Sequence, residues 1–218
     1  MAVCMKLWQL EALLQQLDGF DRPKVTLEQY VTPPHIAAHL LHTAQASFGD
    51  LAGRSVADLG CGPAVLAAGA AALGAGAVLA VDIDADALAV ARANLDDAGL
   101  TAVELLHADV AHVVDTWRGR VDTVLTNPPF GTKRNAGADM LFLQAGLRLA
   151  DTAVYSLHKR STRRHVARQA ADWGARATVV AELRYDLPST YRFHKRASVD
   201  IEVDLWRSCP QAAADVDR

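Results

Sequence analysis

Apolar residues recur along this chain with two different periods. At the start, Leu7, Leu10, Leu13, Leu14 and Leu17 fall three or four positions apart, which predicts an amphipathic helix stopped by "DGFDRP". "PPHIAAHLLHTAQASF" opens on prolines suited to a first helical turn and predicts a second helix. From residue 55 the pattern shortens. "SVADLG", "AVLAVDID", "AVELLHAD", "RVDTVLTN" and "TAVYSLH" read as successive strands. Two helices, "PAVLAAGAAALG" closed by Gly74 and "ADALAVARANLDDAG" closed by Gly99, fall between the first three. Strands alternating with helices imply βαβ units, a parallel sheet and right-handed crossovers. "RATVVAELRYDL" and "ASVDIEVDLW", joined by a polar loop, add an antiparallel hairpin at one edge. "CPQAAADVDR" reads as a frayed tail.

Composition narrows the class without changing that picture. With 218 residues, 51% of them hydrophobic, the chain can bury one sizeable α/β core. The longest uncharged run, Leu59 to Val81, is rich in Ala and Gly and broken by Pro63, so it reads as packed helix and strand, not as a membrane span. "MAVCMKLWQL" lacks the basic-then-apolar order of a signal peptide. Cys4, Cys61 and Cys209 are far apart and form no C-x-x-C pair, which gives neither a disulfide framework nor a zinc site and points to a reducing intracellular compartment. His35, His39, His42 and His107 show no metal-ligand spacing. Charge is unevenly spread. Residues 1–117 hold five Lys/Arg against fourteen Asp/Glu, a net −9, and residues 118–218 hold seventeen against eleven, a net +6. A basic half beside an acidic half suits a polyanion approaching from one side.

The chemistry sits where strands end. "DLGCGPAVL" places Asp58, Gly60 and Gly62 at the exit of the first strand, where glycines let backbone approach a ligand and a helix N-terminus offers free N–H groups. About twenty residues on, Asp82 closes the second strand, at the spacing of a carboxylate that accepts from ribose hydroxyls, whereas Asp84 suits the cap of the next helix. Asp109, after the third strand, could accept from an adenine amino group. Asp58 would repel a pyrophosphate and no P-loop lysine is present, so a nucleoside cofactor without phosphates, S-adenosylmethionine, fits best. At the fourth strand's end stands "TNPPFGT", whose core "NPPF" would arise by chance in a chain of this length on the order of once in a thousand. Asn127 and the Pro128 carbonyl can each accept one N–H of a planar amine, Pro129 stiffens the loop, and Phe130 offers a face for a base. Such a loop catalyses by holding the amine nitrogen in line with a methyl group.

"DLGCG", "DID", "AD" and "NPPFGTK" together resemble class I S-adenosylmethionine-dependent methyltransferases of the N6-adenine type. The chain is most similar to the family of methyltransferase-like protein five, through those motifs and "LEALLQQLDGFDRPKVTLEQY", "TPPHIAAHLL", "TAVYSLHK" and "AELRYDLPSTYRFHKRASVDIEVDLWR", over roughly residues 6–207. The resemblance implies a Rossmann-like α/β fold with helices on both faces of a seven-stranded, mostly parallel sheet carrying an antiparallel edge hairpin. It implies methyl transfer to N6 of one adenosine of small-subunit (18S-type) ribosomal RNA, and help from Gln29, Tyr30 and Thr32 in holding the cofactor. It also implies a small zinc-containing activator subunit that keeps the enzyme soluble, and a nuclear, nucleolar or cytoplasmic location. Ala64 stands where the family usually has a third glycine, and Val31 where it usually has proline. The chain divides on this basis into a helical extension (1–50), a methyltransferase domain (51–207) and a tail (208–218).

"HKRSTRRHVARQ" carries Lys159, Arg160, Arg163, Arg164 and Arg168 without an acid, and Arg160, Arg164 and Arg168 recur every fourth position as one helix face would require. "YRFHKR" adds Arg192, Lys195 and Arg196 among aromatics, and Lys133 follows the NPPF loop. Cations mixed with rings suit RNA whose bases are unstacked. Two other functions remain open on these residues: N5-methylation of a release-factor glutamine, whose planar amide suits the same loop, and a catalytically idle RNA-binding module. The third strand, expected at a sheet edge with few charges, is the expected seat of an added strand from the activator.

Overall fold

The computed structural model describes residues 5–116, 120–131, 135–188 and 198–211. Seven strands form one sheet: β1 (Ser55–Leu59), β2 (Ala77–Asp82), β3 (Val103–His107), β4 (Val121–Thr126), β5 (Ala150–Lys159), β6 (Ala175–Pro188) and β7 (Ser198–Pro210), in the order β3-β2-β1-β4-β5-β7-β6. β3 through β5 pair in parallel, and β7 runs antiparallel between β5 and β6. This is the expected mostly parallel sheet with an edge hairpin. β7 continues to Pro210, past the 207 boundary read from the sequence, because Ala175 pairs with Pro210 and keeps the ladder going.

The helices are α1 (Leu7–Leu14), α2 (Pro34–Phe48), α3 (Val65–Ala72), α4 (Ala85–Asp97), α5 (Val110–Thr116), α6 (Ala138–Leu149) and α7 (Arg163–Asp172). Apolar residues on the two sides of the sheet form separate clusters. One gathers Leu10, Leu14, Leu41 and Leu66 from α1–α3 against Tyr155 and Leu157. The other gathers Leu143 of α6 and Val166 of α7 against Val124 and Val154. α1 stops at Leu14, so the leucine repeat overruns the helix and Leu17 packs from the segment beyond it. Gly69 of α3 lets α1 and α2 close on it: a methyl group there would overlap Leu41 Cδ1 and touch Leu14 Cδ2. α5 and α6 fill the crossovers around β4, where the repeat pattern had singled out no helix. Among the described residues, no helix is long and apolar enough to cross a membrane.

Sheet order reverses between β1 and β4, and it is there that the carboxyl ends of an open α/β sheet leave a crevice. The Thr126 hydroxyl donates to the Leu59 carbonyl at 2.9 Å and locks these two strand ends side by side.

Candidate active site

The glycine turn after β1 is built on left-handed backbone. Gly60 (φ +70°), Gly62 (φ +52°) and Ala64 (φ +68°) all lie in that region, and Gly60 N and Cys61 N donate to the Val81 carbonyl at 2.8 and 2.9 Å. A Cβ on Gly60 would come within 2.7 Å of the Phe142 ring, and one on Gly62 within 2.7 Å of the Phe20 ring. Bare backbone therefore forms the cleft floor with an aromatic ring against each glycine.

Asp58 is 1% exposed; its Oδ2 accepts from Ala67 N at 3.0 Å and its Oδ1 has no partner. Burial pushes its carboxyl up to about 7, against the pull of the Ala67 hydrogen bond, and the nearby Asp82 adds to the rise. Asp82 accepts from Gly62 N and from Asp84 N, both at 2.8 Å, so the carboxylate that closes β2 also fixes the glycine turn. Asp84 caps α4 by accepting from Asp86 N, as its position suggested. It also binds Lys24 Nζ at 2.5 Å and Gln29 Nε2 at 2.6 Å. Burial alone would raise the Asp84 carboxyl, but these donors outweigh it and hold it below the ordinary value. Gln29, read as a cofactor ligand, has both ends of its amide bonded to protein, Nε2 to Asp84 and Oε1 to Lys24 N at 2.7 Å. It lines the cleft while bracing the 24–29 segment against α4.

Asn127 leaves β4 facing this floor. Its Nδ2 donates to Thr32 Oγ1 at 2.9 Å and to the Tyr185 hydroxyl at 3.2 Å, and its buried Oδ1 has no partner. An unpaired buried amide oxygen costs about 1–3 kcal/mol, so it marks a position that awaits a donor. The Tyr30 hydroxyl donates to the Pro128 carbonyl at 3.1 Å, which leaves that oxygen one further lone pair. Phe130 is 8% exposed: Tyr30 lies against it at 5.4 Å between centroids, Tyr185 meets it edge-on at 6.0 Å, and Lys159 Nζ stands 5.8 Å from its centroid. Its expected stacking face is mostly covered here.

One cleft is lined by Gln29, Tyr30, Gly60, Gly62, Asp82, Asp109, Asn127 and Pro129. Thr32 and Asp58 line a small recess joined to it through Gly60, Tyr30 and Asn127. Asp109 also caps α5, accepting from Ala111 N at 2.9 Å. Sequence reasoning missed Phe20, Ile83 and Phe142 in the lining. Ile83 carried a signal, an apolar residue between two strand-end acids. Phe142 carried a weaker one, on the amphipathic α6. Phe20 carried none.

The basic residues separate into two kinds. Arg163 is tied to Asp204, which is 0% exposed, at 2.5 Å and to Glu182 at 2.8 Å. Those carboxylate hydrogen bonds hold its guanidinium well above its ordinary value. Arg160 bridges Glu182 and Glu202, at 3.1 and 3.4 Å. It stands in a 3-10 turn, Arg160–Thr162, before α7, so the expected Arg160–Arg164–Arg168 stripe on one α-helix is broken at its first member. Arg164 and Arg168 are exposed on α7, with Arg168 3.4 Å from His165 Nδ1. Lys133, Arg192, Lys195 and Arg196 lie outside the described residues. No cluster among the described residues could hold a metal ion.

Comparison with known proteins adds to this geometry. Residues 36–172 match the family described as the methyltransferase small domain. The rRNA N(6)-adenosine-methyltransferase METTL5 of Danio rerio is 51% identical over 206 residues, covering 94% of this chain and all of that protein. The Drosophila melanogaster Mettl5, with the same description, is 50% identical, covering 93% of this chain and 96% of its own. Among solved structures, a candidate RNA methyltransferase of Pyrococcus horikoshii superposes with a TM-score of 0.85 at 35% identity, over 96% of this chain and 100% of that one. The strand-end acids, the glycine turn and the NPPF loop thus stand in a chain that belongs to the METTL5 family of methyltransferases, within the methyltransferase small domain group.

Proposed function

We propose that this chain transfers a methyl group from S-adenosylmethionine to N6 of an adenosine in small-subunit, 18S-type ribosomal RNA. The observation that carries the reading is the buried, unpaired Asn127 Oδ1 at the end of β4, beside the glycine turn. The names of the zebrafish and fruit-fly relatives support the base and the RNA class.

The cleft suits this cofactor in three respects. Its floor is glycine backbone flanked by two aromatic rings, its walls carry Asp82 and Asp109, and the recess beside it holds the unpaired Asp58 Oδ1, a natural neighbour for a cationic group. Asp82 keeps lone pairs for ribose hydroxyls beyond the two backbone bonds that fix it. The bound cofactor supplies an electrophilic methyl group on a sulfonium. Asn127 Oδ1 and the Pro128 carbonyl accept the two N–H groups of the adenine amine and aim its lone pair at that methyl group. The amine loses a proton to solvent as its nitrogen becomes cationic, so positioning, not a strong base, lowers the barrier. An adenine reaches this point only when flipped or already unstacked, at a cost of a few kcal/mol. Stacking on Phe130 requires Lys159 to swing off the ring, and an RNA phosphate offers its ammonium a stronger partner. Exposed Arg164 and Arg168, with Lys133, Arg192, Lys195 and Arg196, supply the remaining phosphate contacts in this reading.

The zinc-containing activator belongs to the same proposal. β3 is a sheet edge with Glu104, Leu106 and His107 exposed, and a strand added there would pair its free backbone groups. Leu106→Pro should abolish co-purification of the two subunits; unchanged co-purification removes β3 as their contact.

The deciding experiment is mass spectrometry of nucleosides from small-subunit RNA of cells with and without the protein. Loss of a single N6-methyladenosine is expected. Unchanged RNA together with a methylated glutamine on a release factor would transfer the NPPF loop to an amide substrate.

A further inference from the structure

Asn127 can serve as an acceptor only if its amide is held with Oδ1 toward the substrate, and a free amide rotates between two orientations of similar shape. The hydrogen bonds around it decide which one is kept. The Tyr185 hydroxyl, in a side chain that is 0% exposed, has one proton and donates it to the Val31 carbonyl at 3.2 Å. The Tyr185 proton therefore has its acceptor, and what its oxygen turns toward Asn127 is a lone pair. Asn127 Nδ2 donates to this oxygen at 3.2 Å and to the Thr32 hydroxyl oxygen at 2.9 Å. With the amide reversed, Oδ1 would confront the Tyr185 oxygen, which has no proton to give, and the NH2 would take the place of the substrate's acceptor.

We infer that Tyr185, on β6 at the edge of the sheet and outside the NPPF loop, is a positioning residue whose hydroxyl, relayed from the Val31 carbonyl, fixes the polarity of the Asn127 amide. The inference rests on the proposed role of Asn127 as acceptor for the amine. It also gives Val31 a role: where the family usually has proline, the residue's contribution is its carbonyl, which proline would equally provide. Tyr185 also packs edge-on against Tyr30 and Phe130, at 5.9 and 6.0 Å, so the ring supports the loop while the hydroxyl orients the amide. The two roles separate cleanly, because phenylalanine keeps the first and removes the second.

The test is Tyr185→Phe in the full chain, purified with its activator. Two readings are taken: steady-state methylation of small-subunit RNA, and the hydrogen-exchange rates of the Asn127 side-chain amide protons by NMR, with Asn127→Ala identifying the resonance pair. Expected are a fall in kcat of about 10- to 100-fold, KM for cofactor and RNA within about threefold of wild type, and exchange of the Asn127 amide protons at least tenfold faster. Thr32→Val, which removes the other accepting oxygen, should speed exchange in the same way. Unchanged exchange in Tyr185→Phe overturns the inference, as does an unchanged kcat in an active enzyme. A wild-type protein that methylates no RNA defeats the proposed function instead, and the exchange rates still decide whether Tyr185 holds the amide.

Discussion

Asp58 allows the sharpest calculation. Its carboxyl titrates near 7 in the folded chain, against 3.8 when exposed, because burial disfavours the charge. Between those values the folded state holds a proton that the unfolded state has released, so stability must fall as pH rises through this window. About three units at 1.36 kcal/mol each amount to about 4 kcal/mol lost between pH 4 and pH 8. Asp58→Asn removes the titration. The amide oxygen still accepts from Ala67 N, and the new NH2, sited where Oδ1 has no partner, adds a pH-independent cost of about 1–3 kcal/mol. Urea unfolding of both proteins without cofactor at pH 4.5, 6 and 8 isolates the difference, because other titrating groups largely cancel. The variant should gain on wild type steadily, by about 3 kcal/mol between pH 4.5 and 8. Parallel stability curves, with a gap constant within about 0.5 kcal/mol, would refute a charged, uncompensated Asp58. The same chemistry links to binding. A cation beside Oδ1 favours the carboxylate, so S-adenosylmethionine should bind with proton release at pH 7, measurable as a buffer-dependent calorimetric enthalpy.

Four further variants test other parts of the structure. Asn127→Ala should abolish turnover while cofactor affinity, measured by calorimetry, stays within a few-fold, because the acceptor lost serves the amine. Ala64→Gly should stabilise the chain by about 0.5–1 kcal/mol in urea unfolding, since a left-handed Ala at the start of α3 is strained where Gly is not. Arg163→Ala should lower stability in urea unfolding by taking both guanidinium hydrogen bonds from the buried Asp204, whereas Arg168→Ala should leave stability nearly unchanged and weaken RNA binding in a salt-dependent assay.

The residues legible in the sequence are those whose local chemistry already marks them. Gly60, Asp82 and Asn127 each follow an apolar run, and strand exits at a reversal of sheet order are where ligands meet α/β sheets. The hairpin showed itself by its alternation. Leu17 misled because the periodic pattern continues past Leu14, where the helix ends before "DGF" is reached. The arginine stripe misled more seriously: spacing alone does not reveal that Arg160 stands in a 3-10 turn, paired with Glu182 and Glu202 of the edge hairpin. Gln29 was found by resemblance, but its bracing of Asp84 is visible only once residues 55 positions apart are brought together. Phe20 and Tyr185 had no local signal at all. What selects them is the surface that distant elements present to each other, the Gly62 turn for one and the Asn127 amide for the other.

The amide lock also determines when the site comes into being. Its hydrogen bonds join Asn127 to Thr32 across 95 positions, and Tyr185 to Asn127 and Val31 across 58 and 154. Contacts of such separation form late in folding, after the local helices and strand pairs. During synthesis the glycine turn, the carboxylates and the NPPF loop all leave the ribosome before β6 does, so an incomplete chain holds every motif and no oriented acceptor. On the inferred role of Tyr185, the amide is held only once β6 has joined the sheet, after every motif of the site has been made.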